Sequence, residues 1–134
     1  MTLAAQTARS LPLHGAPLRL LRLEGAGLLI LGIWLYAYQG QGWLLFLVLF
    51  LVPDLSMLAY FAGPRLGAMV YNSVHTTLPP LALLGGGALA KSPAVMAIAA
   101  IWLAHIGFDR LLGYGLKYAT GFSETHLGRI GRQA

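Results

Sequence analysis

The chain has no cysteine. That excludes disulfides, thiolate metal ligands, a cysteine nucleophile and redox-thiol chemistry. Charge is also scarce: only 10% of the 134 residues are charged, against about a quarter in an ordinary soluble domain. Acidic residues are rarest, four against nine lysines and arginines. Gly25 to Pro53, Leu66 to Ala90 and Ser92 to Phe108 contain no Lys, Arg, Asp or Glu at all. There is no glycine-rich loop of the kind that cradles phosphates and no Gly-x-Ser-x-Gly, so a nucleotide site and a serine triad have no support.

What fills these runs is apolar. Hydrophobic residues make up 57% of the chain and the mean hydropathy is +0.70. A spanning helix needs about 20 apolar residues, and the runs accommodate four. The fold class expected is all-α, a polytopic membrane protein with four transmembrane helices. Helix one is expected over 20–38, followed by a polar turn at Gln39-Gly40-Gln41-Gly42. Helix two runs over 43–62 to a break at Gly63-Pro64, and helix three over 65–90 with a kink at Pro79-Pro80. Helix four runs over 94–113, after Pro93. The organisation expected is thus a flexible tail (1–17), a four-helix domain (18–113) and an interfacial tail (114–134). The apolar stretch begins too late for a cleavable signal peptide, so helix one reads as a retained anchor.

Arg9, Arg19, Arg22, Arg65, Arg110, Lys117, Arg129 and Arg132 fall on one side of such a topology, and only Lys91 on the other. The positive-inside rule then makes both termini cytoplasmic in a multi-pass inner-membrane protein. This topology, rather than nucleic acid, accounts for the net charge of +5. Trp34, Tyr36, Tyr38 and Trp43 gather at the outer interface as an aromatic belt. The tail after Tyr114 interleaves Tyr118, Phe122, Leu127 and Ile130 with cations, which suits anionic lipid at the cytoplasmic face. The bilayer is therefore the expected partner, and so few helices leave a homo-oligomer open.

Against this background the ionisable residues inside the spans stand out. Asp54, His75, His105 and Asp109 are costly in hydrocarbon unless they face a bundle interior with a partner, an ion or a proton path. At 1.5 Å per residue, Asp54 lies roughly 13 Å, His75 roughly 15 Å, His105 roughly 12 Å and Asp109 roughly 6 Å from the cytoplasmic ends of their helices. His105 and Asp109 are four apart and share a helix face; Asn72, His75 and Thr76 share another. The expected metal ligands are Asp54, His75, His105 and Asp109, around one divalent ion. Zinc is the first choice, with iron or manganese if positions stay open. Whichever of Asp54 and Asp109 is not a ligand is the candidate general base. Glu24, Asn72, Thr76 and His126 are candidate supporting residues, although Glu24 beside Arg19 and Arg22 also reads as a surface ion pair and His126 as a surface histidine. Packed histidines tied by hydrogen bonds are the plain alternative for the whole cluster.

The strings Pro53-Asp54-Leu55-Ser56-Met57-Leu58, Gly63-Pro64-Arg65, Tyr71-Asn72 with His75-Thr76, Ala104 to Tyr118, and Thr125-His126-Leu127-Gly128 resemble a bacterial membrane family catalogued as domain-of-unknown-function family 4260. The resemblance covers nearly all of the chain after about Leu18 and implies a membrane fold but no particular activity. A weaker similarity is to inner-membrane metal-dependent hydrolases of the LexA-binding type, through the order Pro53-Asp54, His75-Thr76, His105-x-x-x-Asp109. Ser56 stands where that group has a second Asp, and no His precedes His75 at Tyr71-Asn72, so a single metal is the most this similarity implies. It suggests hydrolysis of a lipid or other amphiphile. A proton, ion or small-solute transport protein and a non-catalytic membrane accessory subunit are the competing readings.

Overall fold

The structure is a computed structural model that describes residues 13–119 and 122–130. The flexible tail expected at the N-terminus lies outside the described residues up to position 12, as do Arg9, Arg132 and the end of the C-terminal tail. The chain is mostly helical. Its elements are α1 (Gly15–Tyr38), α2 (Trp43–Phe50), a 3-10 helix (Val52–Ala62), α3 (Pro64–His75), α4 (Leu78–Leu89) and α5 (Pro93–Leu112). A two-residue pair, β1 (Glu124–Thr125) antiparallel to β2 (Gly128–Arg129), closes the described part.

Three helical stretches are long and apolar enough to cross a membrane: Gly15–Tyr38, Trp43–Ala62 and Pro93–Leu112. Large apolar side chains stand out from them, with Phe61 92% and Leu44 76% exposed. A surface of that kind is at home in lipid rather than water. The helix expected over 65–90 is instead two helices of 12 residues each. At 1.5 Å per residue each is about 18 Å long, short of the roughly 30 Å hydrocarbon core. Pro79 and Pro80 cause this. They do not kink a continuous helix but open a new one, in a first turn whose backbone donors have no intrahelical partner anyway. Thr76 just before is extended, with ψ 151°.

A second proline shapes the other departure. Pro53 cannot donate to the Leu49 carbonyl, so the α ladder of α2 stops and a 3-10 helix of 11 residues takes over. Such runs rarely exceed three or four residues. A period of three stacks Asp54, Met57 and Tyr60 on one face. Tyr60 meets Phe122 edge-on, and its ring covers Gly67 of α3, where a Cβ would collide with it.

The core lies around α5, which packs on α1, α2 and α4. Tyr36, Phe46, Ala97, Ala100, Ile101 and Ala104 form its centre. Tyr36 is therefore not part of an interfacial belt: it is fully buried, its hydroxyl donates to the Gly42 carbonyl, and its ring packs on Trp43 and Phe46. Trp34 and Tyr38 do face outwards and stack on each other. Small residues let α1 and α5 approach closely. A Cβ on Gly107 would sit 2.6 Å from the Gly25 carbonyl oxygen, and one on Gly32 would sit 2.7 Å from that of Ala100.

Candidate metal centre

Each of the four ionisable side chains is fixed by its local backbone. Asp54 stands in the first turn of the 3-10 helix, directly after Pro53. His75 is the last residue of α3 and is 1% exposed. Its ring stacks on Tyr71 at 3.7 Å, and its Nδ1 lies 2.9 Å from the Tyr71 carbonyl. A carbonyl only accepts, so Nδ1 donates this bond and Nε2 is the nitrogen turned to the cluster. His105 and Asp109 sit one turn apart on α5, both buried. Gly113 ends that helix in the left-handed region (φ 88°), with Gly113 N–H to Arg110 O and Tyr114 N–H to Asp109 O completing a Schellman motif.

The four meet at one point. His75 Nε2 and His105 Nε2 are 3.2 Å apart. Asp54 Oδ1 lies 3.5 Å from His75 Nε2 and 3.3 Å from His105 Nε2. Asp109 Oδ2 lies 3.5 and 3.4 Å from the same two nitrogens. No pair of the four donor atoms is further apart than 4.8 Å. The cluster could hold a metal ion. Nitrogen and oxygen ligands about 2.0–2.2 Å from a tetrahedral zinc are about 3.3–3.6 Å from one another. Five of the six separations here are 3.2–3.5 Å. Charge-assisted hydrogen bonds would be shorter, about 2.7–2.9 Å.

Two side chains of α5 hold His75 in place from behind. Trp102 Nε1 donates to the Val74 carbonyl (2.7 Å) and Arg110 Nη2 to the His75 carbonyl (3.0 Å), so both occupy acceptors that the end of α3 leaves open. Arg110 also donates to the Tyr114 carbonyl. It is thus a clamp between α3 and the tail. His105 packs edge-on against Phe50. Its Nδ1 is buried and has no hydrogen-bond partner among the described residues.

The supporting residues expected from sequence fall elsewhere. Asn72 does not touch the cluster. Its amide makes two bonds with the backbone of Lys117, donating to the carbonyl (2.7 Å) and accepting from the N–H (2.6 Å). Glu24, Thr76 and His126 line a separate cavity of about 420 Å³, with Thr77 and Arg110. His126 Nδ1 accepts from the Leu116 N–H (2.8 Å), and burial together with nearby Arg110 holds the imidazole below its ordinary pKa. Arg22 turns from Glu24 to the Leu111 carbonyl (2.8 Å).

The residue that sequence reasoning left among the surface cations is Lys117. It is 4% exposed. Its ammonium donates to the Phe122 carbonyl (2.8 Å) and lies over the Phe122 and Tyr71 rings. Burial lowers its pKa to about 8, against the opposing pull of Asp109 and Asp54. With Asp54, Met57, Tyr71, Asp109, Tyr114, Phe122 and Ile130 it lines a cavity of about 250 Å³ that reaches the cluster from the tail side. The tail is folded to form that wall. Tyr118 N–H donates to Glu124 O and His126 N–H to Leu116 O, pairing the segment around Lys117 with β1.

Residues 18–130 match a family described as domain of unknown function DUF4260. The chain belongs to the DUF4260 family. The match takes in α1 from residue 18, every later helix and all four residues of the cluster. No curated protein and no solved structure matches this DUF4260 chain. The similarity to LexA-binding hydrolases expected from the order of Pro53-Asp54, His75 and His105-x-x-x-Asp109 is not shown by these comparisons.

Proposed function

We propose that this protein is a multi-pass inner-membrane, metal-dependent hydrolase acting on a lipid or other amphiphile, with one divalent ion, zinc, held by Asp54, His75, His105 and Asp109. The observation that carries the reading is that five of the six donor separations match those around a tetrahedral zinc. A single N–H on His105 Nε2 could serve one of its three neighbours at a time, whereas a central cation serves all four acceptors at once. The His75 ring donates its other nitrogen to a helix carbonyl, as metal-bound histidines usually do.

Asp54 and Asp109 both line the 250 Å³ cavity, so the edge between the two carboxylates is where a further ligand would enter. Asp54, 35% exposed at its side chain against 10% for Asp109, is the carboxylate that would give up its place on the ion to an entering water and serve as the general base. Bound to such an ion, water would lose a proton near neutral pH. The ion would supply the activated water, and Asp54 would carry that water's proton to the leaving oxygen as the ester bond breaks.

In this reading α3 and α4 form a fourth, discontinuous crossing. Its break at Thr76-Thr77 follows His75, and irregular backbone at membrane depth is tolerated where it lines a protein cavity. Four crossings keep both termini cytoplasmic and place the tail at the anionic inner leaflet. A second copy of the chain would widen so small a bundle.

The test is elemental analysis of detergent-purified wild type beside His105→Ala after both have been offered zinc. About one zinc per chain in the wild type, lost in a folded variant, is the expected result. Equal metal in a folded His105→Ala protein refutes the site. Zinc-free wild type leaves the cluster to proton transfer or to structural support.

A further inference from the structure

The 250 Å³ cavity holds two things the hydrolase reading does not by itself require together: the carboxylate edge of the cluster and the buried ammonium of Lys117. A lysine is almost never buried unless paired. Here the carboxylates of the same cavity are turned to the imidazoles, and the ammonium is left with a carbonyl and two rings. A divalent ion would cancel the two carboxylates. The cavity would then carry the single positive charge of Lys117, whose ammonium has three donors and, among the described residues, one acceptor, the Phe122 carbonyl.

We infer that Lys117 is a substrate-binding residue and that the substrate presents a singly charged phosphodiester to it. This rests on the proposed metal centre and deepens it. A neutral carboxylic ester would leave the ammonium unmatched, and a carboxylate would match it but offers no bond to hydrolyse. Because ammonium and carboxylate edge share one small space, the charged group and the reacting group are the same group, which a phosphodiester satisfies. Water oxygen bonds to phosphorus, one P–O ester bond breaks, and the proton lost by water ends on the departing alcohol, leaving a phosphomonoester.

Geometry also favours a lipid source. On the other faces of the 3-10 helix, Val52, Pro53, Leu55 and Ser56 line an apolar groove of about 540 Å³ with Val74 and Trp102. A headgroup in the smaller cavity and a chain in the groove would straddle this one segment.

The experiment is calorimetric titration of the zinc-loaded full chain in uncharged detergent. Dimethyl phosphate, a monoanion, is compared with trimethyl phosphate, its neutral isostere, and with dihexanoyl phosphatidylglycerol. The expected result is that the anion binds and the isostere does not. Lys117→Met should weaken the anion by about 10- to 100-fold, the worth of one charge-assisted hydrogen bond, with zinc content unchanged, and Lys117→Arg should retain most of the affinity. Equal binding of anion and isostere by wild type overturns the inference even if Lys117→Met fails to fold, as does unaltered anion affinity in a zinc-loaded Lys117→Met. Absence of zinc from wild type defeats the underlying metal reading instead. Tighter binding of the short-chain lipid than of dimethyl phosphate assigns a phospholipid; equal affinity assigns a soluble phosphodiester, and both support the phosphodiester chemistry.

Discussion

Asn72→Ala separates the tail from the metal cluster. The Asn72 amide satisfies both backbone groups of Lys117 at 2.6 and 2.7 Å, across 45 positions of sequence. Each such bond contributes about 0.5–1.5 kcal/mol net, and leaving its buried partner unpaired costs about 1–3 kcal/mol. Because the freed tail can swing into water and recover part of that loss, the expected weakening is about 2 kcal/mol of tail docking rather than of global stability. At roughly 1.4 kcal/mol per tenfold, the Leu116–Tyr118 amides should exchange with solvent about 30-fold faster. The cluster is built from α3, α5 and the 3-10 helix, so zinc content should stay at the wild-type value while affinity for dimethyl phosphate falls as it does in Lys117→Met. Hydrogen exchange read by mass spectrometry, beside elemental analysis of the same preparation, makes the measurement. Unchanged exchange at 116–118 would refute the anchoring role. Loss of zinc together with tail protection would refute the separation of cluster from tail.

Gly107→Ala should destabilise the fold by about 1–3 kcal/mol, because the new methyl would press on the Gly25 carbonyl and the Leu29 backbone across the α1–α5 crossing; thermal unfolding in detergent would show it, and an unchanged midpoint would mean that the helices do not cross so closely. The pH dependence of dimethyl phosphate binding follows from Lys117, whose pKa burial lowers to about 8 while Asp109 and Asp54 pull the other way. An ion that cancels those carboxylates removes the opposing pull, so in the zinc-loaded chain the ammonium, which is the binding form, should be lost at or below that value and affinity should decline as pH rises through it, while the charge of the ligand stays constant; a flat profile between pH 6 and 9.5 would exclude Lys117 as the titrating partner. The same depressed value makes the folded state the weaker proton binder, so Lys117 contributes a rise in stability between about pH 8 and its ordinary value near 10.5.

The helices were legible because apolar runs and prolines are local signals. Trp43–Ala62 reads as one unit by hydropathy, and it is one stretch in space. Its change from α to 3-10 at Pro53 is less legible, since a proline in an apolar run could equally give a kink. The same ambiguity misled at Pro79-Pro80. Composition favours a kinked long helix there, but two adjacent prolines remove two donors in succession, and the cheapest place for both is a helix start. Tyr36 failed for another reason. Its neighbours Trp34 and Tyr38 do face outwards, and only the turn that brings the Gly42 carbonyl onto its hydroxyl puts it inside.

The cluster itself could be found from sequence because burying an ionisable group is expensive wherever it happens, so position in an apolar run is enough to single it out. Its support could not. Trp102, Arg110 and Asn72 act through backbone carbonyls or N–H groups of distant segments, and Lys117 through the carbonyl of Phe122, and every residue offers the same carbonyl whatever its side chain. A sequence therefore shows which side chains need partners but not which backbone supplies them. The partial exception is Trp102, whose indole N–H must find an acceptor once half-buried one turn from His105. Lys117 is the hardest case, because in one dimension it is one more cation beyond the last span. What changes its meaning is a fold-back of the tail that sets its ammonium against Tyr71, the residue whose carbonyl orients His75. The Tyr71 ring touches both the Lys117 ammonium and the His75 imidazole, so one side chain forms a wall of the cavity and a wall of the cluster.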